Sequence, residues 1–206
     1  MNKSKITCIW GSPSSGKTVC ALSLASVLAQ EKKNVIVFST DKLVPALKLY
    51  CPEEEIDSSR SIGSLLMSGR YDDAIFAQKL VPHPESEYIA FLGMAPTDTY
   101  ITYSAFERSH IVSVINKAAQ LADHVIIDGT ANPADDPLTL CAMELSDVVI
   151  RVITADIRGL LYLDSARAVY SESKYRFDSH ISVLGNVHNV SPVSEVMSVS
   201  GKYDHV

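Results

Sequence analysis

Residues 11–18, Gly11-Ser12-Pro13-Ser14-Ser15-Gly16-Lys17-Thr18, follow the pattern G-x-x-x-x-G-K-[ST]. The pattern carries chemical meaning only between a buried strand and a helix. Ile6-Thr7-Cys8-Ile9-Trp10 reads as such a strand, and Val19 to Gln30 as the helix. A loop that wraps back on itself points its backbone N–H groups inward, where they hold phosphate oxygens. A helix starting near Gly16 adds the positive end of its dipole. Gly11 and Gly16 permit backbone conformations that a Cβ would block. Lys17 reaches the β- and γ-phosphates, and the Thr18 hydroxyl ligates Mg²⁺. The whole stretch from Gly11 to Val19 is therefore the predicted ATP/ADP cradle. It fixes the start of the chain as strand–loop–helix and demands parallel neighbours for that strand.

The rest of the chain supplies them. Val35-Ile36-Val37-Phe38, Tyr88-Ile89-Ala90-Phe91-Leu92, Val125-Ile126-Ile127-Asp128, Val148 to Ile153 and Ile181 to Asn186 are apolar runs of strand length. Unbroken apolar runs suit parallel strands buried on both faces. Helices are expected between them at 43–50, 62–67, 71–80, 106–122, 138–145 and 156–173, with a last short one at 193–199. In the 106–122 helix, Ile111, Ile115, Ala118, Ala119 and Ala122 share a face. Pro82 and Pro84 are read as breaks before the strand at 88–92. Residues 51–62 and 96–104 are read as loops. The prediction is an α/β fold: a mostly parallel central sheet with helices on both faces, and one domain over residues 1–206. Ligands of such sheets sit beyond the carboxyl ends of the strands, where Ser39 to Asp41, Asp128, Thr154 to Asp156 and Asn186 gather.

Composition narrows the function. At 47% hydrophobic and 20% charged, the chain can bury a sizeable core. A net charge of −6 disfavours a basic nucleic-acid surface. No apolar run approaches the roughly 18 residues of a membrane span, and Met1-Asn2-Lys3-Ser4-Lys5 leaves no room for a signal peptide before the first strand. The four scattered cysteines (Cys8, Cys20, Cys51, Cys141) lack metal or disulfide spacing, which predicts a reduced, cytoplasmic protein without a structural metal. The six histidines show no metal-ligand spacing and are expected at the surface or at strand ends.

A phosphate loop needs a metal partner from a neighbouring strand. Asp128, the acid ending Val125-Ile126-Ile127, is read as that partner, holding Mg²⁺ directly or through water. With this pair in place, the chain resembles the MinD/ParA family of ATPases, close to its pilus-associated CpaE/TadZ branch. The resemblance rests on the loop at 11–18, on Val35 to Asp41, on Asp123 to Asp128 and on Ser146 to Asp156, and it spans nearly the whole chain. It implies a sheet of about seven strands, ATP, Mg²⁺ and a nucleotide-sandwich homodimer. It gives Asp41, after the second strand, a part in organising the metal and the attacking water beside Lys17. It gives Asn186 the adenine, although a turn role after Gly185 fits that residue nearly as well. It also implies that the chain lacks the C-terminal end of the family fold, including the membrane-binding helix with which MinD proteins end.

The loop departs from the family pattern K-G-G-x-G-K-[ST]. The extra lysine, which in the family reaches the partner's phosphates, is replaced by Ser12, and Pro13 follows where glycine is usual. A cation near the γ-phosphate contributes several powers of ten in rate, so ATP binding with weak or partner-dependent hydrolysis is expected. Asp135-Asp136 reads as a solvated helix start. Arg151, Arg158, Arg167, Lys174 and Arg176 read as a solvated face, with a nonspecific DNA strip as the alternative. Three functions stay open: a dimerisation switch for positioning or assembling an unidentified protein partner, a DNA-partitioning ATPase, and a biosynthetic ATP-dependent enzyme.

Overall fold

A computed structural model of the chain describes residues 5–99, 101–103, 105–187, 193, 194 and 196. The expected helix at 193–199 lies largely outside the described residues. The apolar runs form β1 (Lys5–Gly11), β2 (Val35–Ser39), β4 (Ser86–Leu92), β5 (His124–Asp128), β6 (Val148–Thr154) and β7 (Ile181–Gly185), all parallel to one another. A further strand, β3 (Val81–His83), pairs antiparallel with β4. The seven-stranded sheet runs β3-β4-β2-β5-β1-β6-β7.

Strand β3 corrects the reading of Pro82 as a mere break, while Pro84 lies in the turn before β4, where the chain does break. Proline cannot donate to a ladder, but at a sheet edge its nitrogen can face outward, and β3 is an edge strand.

Alternation sends the strand side chains to two layers. Ile9, Val35, Val37, Ile126 and Val152 pack with Ala21 and Ala25 of α1 (Lys17–Gln30). Cys8, Trp10, Ile36, Phe38 and Ile127 face the opposite layer. There they meet α3 (Ile62–Ser68), α5 (Arg108–Leu121), α6 (Pro137–Leu145) and α7 (Ile157–Val169). Helix α4 (Asp73–Lys79) contributes Phe76 to that layer. Ile111, Ile115 and Ala118 of α5 are fully buried, and Ala119 and Ala122 partly so. No helix among the described residues is long and apolar enough to cross a membrane.

Two helices fall well short of their patterns. The expected helix at 43–50 survives only as α2 (Leu47–Tyr50), because the Asp41 carboxylate accepts the N–H groups of Leu43 and Val44 and holds them in a turn. The late helix ends at Val169 rather than Ser173 and gives way to short 3₁₀ turns at Ser173–Tyr175 and Phe177–Ser179. Asp156 caps it through the Gly159 N–H at 2.8 Å.

The late cations do not form a strip. Arg151 is buried in β6, its guanidinium stacked 4.5 Å from the Phe177 ring centre. Arg176 donates to the carbonyls of Met143 and Ser146 at the end of α6. Arg167 and Lys174 lie near Asp178, Glu144 and Glu172. His180 sits at the strand end that opens β7, one of the two places expected for the histidines, and is buried there.

Candidate functional site

The register gathers the polar strand ends. Asp128 stands between Ile9 of β1 and Ser39 of β2, and Thr154 stands beside Gly185. The loop from Gly11 to Gly16 emerges at this edge. Gly11 has φ +147°, and a Cβ there would stand 1.8 Å from the Val152 carbonyl oxygen. Gly16 opens α1 in the left-handed region, and a Cβ on it would meet no described residue within 4 Å. The loop therefore leaves open space in front of the helix start. Among the described residues no side chain caps α1, so its first N–H groups keep their donor capacity toward that space.

A cavity of about 360 Å³ lies there, lined by Pro13, Ser14, Gly16, Lys17, Thr18 and Val19 on one side and by Ser39, Asp41, Asp128 and Gly129 on the other. Lys17 Nζ donates to the Ser12 carbonyl at 2.8 Å. Burial lowers its pKa, opposed by the nearby Asp128 and Asp41 carboxylates. The Thr18 hydroxyl donates to Asp128 Oδ2 at 2.7 Å, and the Tyr50 hydroxyl donates to the same oxygen at 2.7 Å. Burial raises the Asp128 pKa, while the Thr18 and Tyr50 hydrogen bonds and the Lys17 charge work against it. A lysine, a threonine hydroxyl and an aspartate thus share one small cavity with an uncapped helix start.

The predicted residues divide into groups. Gly16, Lys17, Thr18, Val19, Asp41 and Asp128 meet in this cavity together with Pro13 and Ser14. Asp41 lines it while one of its carboxylate oxygens is engaged by the Leu43 and Val44 N–H groups. Ser15 is fully buried, and its hydroxyl has no hydrogen-bond partner among the described residues. Ser12 is drawn into the sheet: its N–H donates to Val152 O, and its Oγ accepts the Thr154 N–H, both at 3.0 Å. Asn186 stands on the other side of the loop, at a second cavity of about 330 Å³ that it shares with Pro13, Ser14, Asp156 and Arg158. Its side-chain amide donates to the Ser14 carbonyl. Its φ of +53° also agrees with the turn role.

As a donor set for an ion, Thr18, Asp128 and Asp41 are hard oxygen ligands. Magnesium is typically held by one or two carboxylates together with phosphate oxygens and water, and this set fits that chemistry.

Some of the site lay beyond sequence reasoning. Tyr50 is one such residue; its contact with Asp128 spans 78 positions. Another is the buried group behind the Asp128 strand end. The Thr40 and Thr139 hydroxyls lie 2.8 Å apart, Thr139 donates to Asp136, and the Thr130 N–H donates to Thr139 at 3.1 Å. Asp136, expected in solvent, is only 5% exposed and caps α6 through the Leu138 and Thr139 N–H groups. Burial raises its pKa. Asp135-Asp136 was read as a helix start, and Asp136 does open α6, but nothing in the sequence placed Thr40 beside it.

No protein-family model matches the sequence, and neither does any curated protein sequence. Solved structures do match the fold. A ParA family ATPase from Chlorobium tepidum TLS superposes with a TM-score of 0.78 at 15% identity, covering 97% of this chain and 83% of that one. A putative plasmid partition protein from Borrelia burgdorferi B31, bound to AMPPNP, gives 0.73 at 15% identity over 96% and 82%. The septum site-determining protein MinD from Pyrococcus horikoshii OT3, complexed with Mg-ADP, gives 0.69 at 15% identity over 98% and 79%. The fold is that of the ParA and MinD ATPases.

Proposed function

We propose that residues 1–206 act as one ATP-binding, Mg²⁺-using domain, a weak ATPase whose nucleotide state switches dimerisation and so positions or assembles a partner machinery of the pilus, secretion or partitioning type. The observation that carries this is the meeting of Lys17, Thr18 and Asp128 in one cavity in front of an uncapped helix. Support for the ligands comes from neighbours of the same fold that were solved with AMPPNP and with Mg-ADP.

In this reading the N–H groups at the start of α1 and the Lys17 ammonium hold the phosphates. Lys17 exchanges its bond to the Ser12 carbonyl for phosphate oxygens. Thr18 and Asp128 would hold the magnesium, which when bound would supply positive charge to the phosphates. Asp41 orients water from the far wall of the cavity, and Asn186 contacts the base beyond the loop. Hydrolysis is weak because Ser12, in place of the lysine of the MinD/ParA pattern, brings no cation. Leu43, Val44 and Leu49, all strongly exposed on the rim, supply apolar surface for a second copy.

The DNA-partitioning alternative loses support from the inward turn of Arg151 and Arg176. The biosynthetic alternative draws on a neighbouring cavity of about 590 Å³, which shares Asp41, Thr130 and Ala131 with the nucleotide cavity and could take a small substrate.

Sizing the protein with ADP, ATP and a non-hydrolysable analogue, while following phosphate release, tests the reading. Dimers with ATP or the analogue, slow release, and loss of both in Lys17→Ala are expected. Monomers in every nucleotide state would overturn the switch, and brisk turnover by the protein alone would overturn the weak-hydrolysis claim. A gel shift that appears only with ATP would favour DNA.

A further inference from the structure

Tyr50 ends the single turn of α2 and is 7% exposed. Its ring lies 4.8 Å from that of Phe91, centre to centre. A phenylalanine would make the same packing, so the apolar contact alone leaves the hydroxyl unexplained. That hydroxyl reaches across the sheet end to Asp128 Oδ2, the same oxygen that accepts from Thr18. Two hydroxyl donors on one carboxylate oxygen restrict the rotation of the carboxyl group about its Cβ–Cγ bond. Groups that hold a metal ligand in this way tune the metal as strongly as many direct contacts do.

The position of Tyr50 in the chain adds a second consequence. The segment it ends begins at Asp41, and Asp41, Val44, Ala46 and Leu49 all line the nucleotide cavity. Val44 and Leu49 also expose 56% and 68% of their surface. The Tyr50–Asp128 bond therefore fastens the wall of the cavity to the carboxylate that faces the metal.

We propose that Tyr50 is a positioning residue for Asp128, setting the metal response of the site and tying it to the wall formed by residues 41–50. This rests on the nucleotide and magnesium reading above. Tyr50→Phe keeps the ring on Phe91 and removes only the bond to Asp128.

The test is a titration of Mg²⁺ against binding of a fluorescent ATP analogue, repeated in EDTA, with thermal unfolding as a check on folding. Tyr50→Phe is expected to raise the half-saturating Mg²⁺ about 10-fold, to leave the EDTA affinity within about two-fold, and to unfold cooperatively. In an Asp128→Asn background the same substitution is expected to have no further effect on Mg²⁺. An unchanged Mg²⁺ midpoint in Tyr50→Phe would overturn the proposal. So would an equal loss of affinity with and without the metal, which marks a structural role, or a full Mg²⁺ effect that persists in Asp128→Asn. Failure of the unmodified protein to bind the analogue at all would instead remove the nucleotide reading on which the proposal stands.

Discussion

Two buried polar clusters flank β1, and they differ in one respect that separates function from stability. On the β5 side, Asp128 takes hydroxyl donors from Thr18 and Tyr50, and Lys17, Thr18 and Asp128 line a cavity. On the β6 side, the Trp10 indole donates to His180 Nδ1 at 3.3 Å, and His180 Nε2 sits 2.7 Å from the Tyr175 carbonyl. Arg151 donates to the Ser182 hydroxyl at 2.7 Å and to the Phe177 carbonyl. Aromatic rings surround this second cluster: Tyr170, Phe177 and His180 each stand edge-on to Trp10. Both clusters hold groups with displaced pKa values. A displaced pKa therefore does not by itself mark a functional site. The first cluster keeps donor and acceptor capacity for a ligand, while the second spends its capacity on protein partners.

The largest expected effect acts on the seam between the two regions. Gly185, at the end of β7, lies against the phosphate loop: a Cβ on it would stand 1.8 Å from the Ser15 carbonyl oxygen. The neighbour is backbone, so the loop itself must move. Gly185→Ala should lower nucleotide affinity about 100-fold, the scale of a 1 Å misplacement. It should also cost about 3 kcal/mol of stability through overpacking. A binding titration and denaturant unfolding measure the two. Wild-type affinity in this variant would mean that the loop tolerates displacement and that the open cluster is less finely set than the closed one.

These contrasts also explain what could be read from the sequence. The loop and Asp128 were legible because each signal is local: a short constrained pattern, and an unbroken apolar run that ends in an acid. The parallel sheet was legible because its strands are buried on both faces. Partnerships that depend on register were not. Arg151 looked like a surface cation until the β6–β7 pairing set it opposite Ser182. Trp10 and His180 are 170 positions apart. Tyr50 follows a segment whose helical spacing is overridden by the Asp41 turn. Ser12 was legible as a departure from a pattern, but its bond to Thr154 depends on where β6 ends.

The closed cluster makes its own prediction. Burial lowers the His180 pKa from its usual 6.5 to about 4, and the charges on Arg151 and Arg176 act in the same direction against a partial rise from the Tyr175 carbonyl. The folded protein keeps this imidazole neutral at a pH where the unfolded chain protonates it. Its contribution is therefore complete above pH 6.5 and is lost progressively as the pH falls to about 4. The difference is on the order of 3 kcal/mol. Unfolding free energies measured at pH 7 and pH 4 should converge by about that amount in His180→Gln relative to the unmodified protein. An identical pH dependence in the two proteins would show that the fold does not hold the His180 imidazole below its ordinary pKa.

The smallest effect concerns the residue that joins the loop to the closed side. Ser12 holds the loop against β6 through one backbone and one side-chain hydrogen bond. Replacing it by alanine removes only the second and leaves the Thr154 N–H without that acceptor. A loss of about 1 kcal/mol is expected, the net worth of one hydrogen bond. Because the Ser12 N–H is already committed to Val152 and its carbonyl faces Lys17, Ser12→Ala should leave nucleotide affinity in the unmodified range. Calorimetric unfolding beside a binding titration separates the two quantities. If affinity fell while stability held, the hydroxyl would belong to the open cluster, and the line between the two regions would run through β6 rather than along the loop.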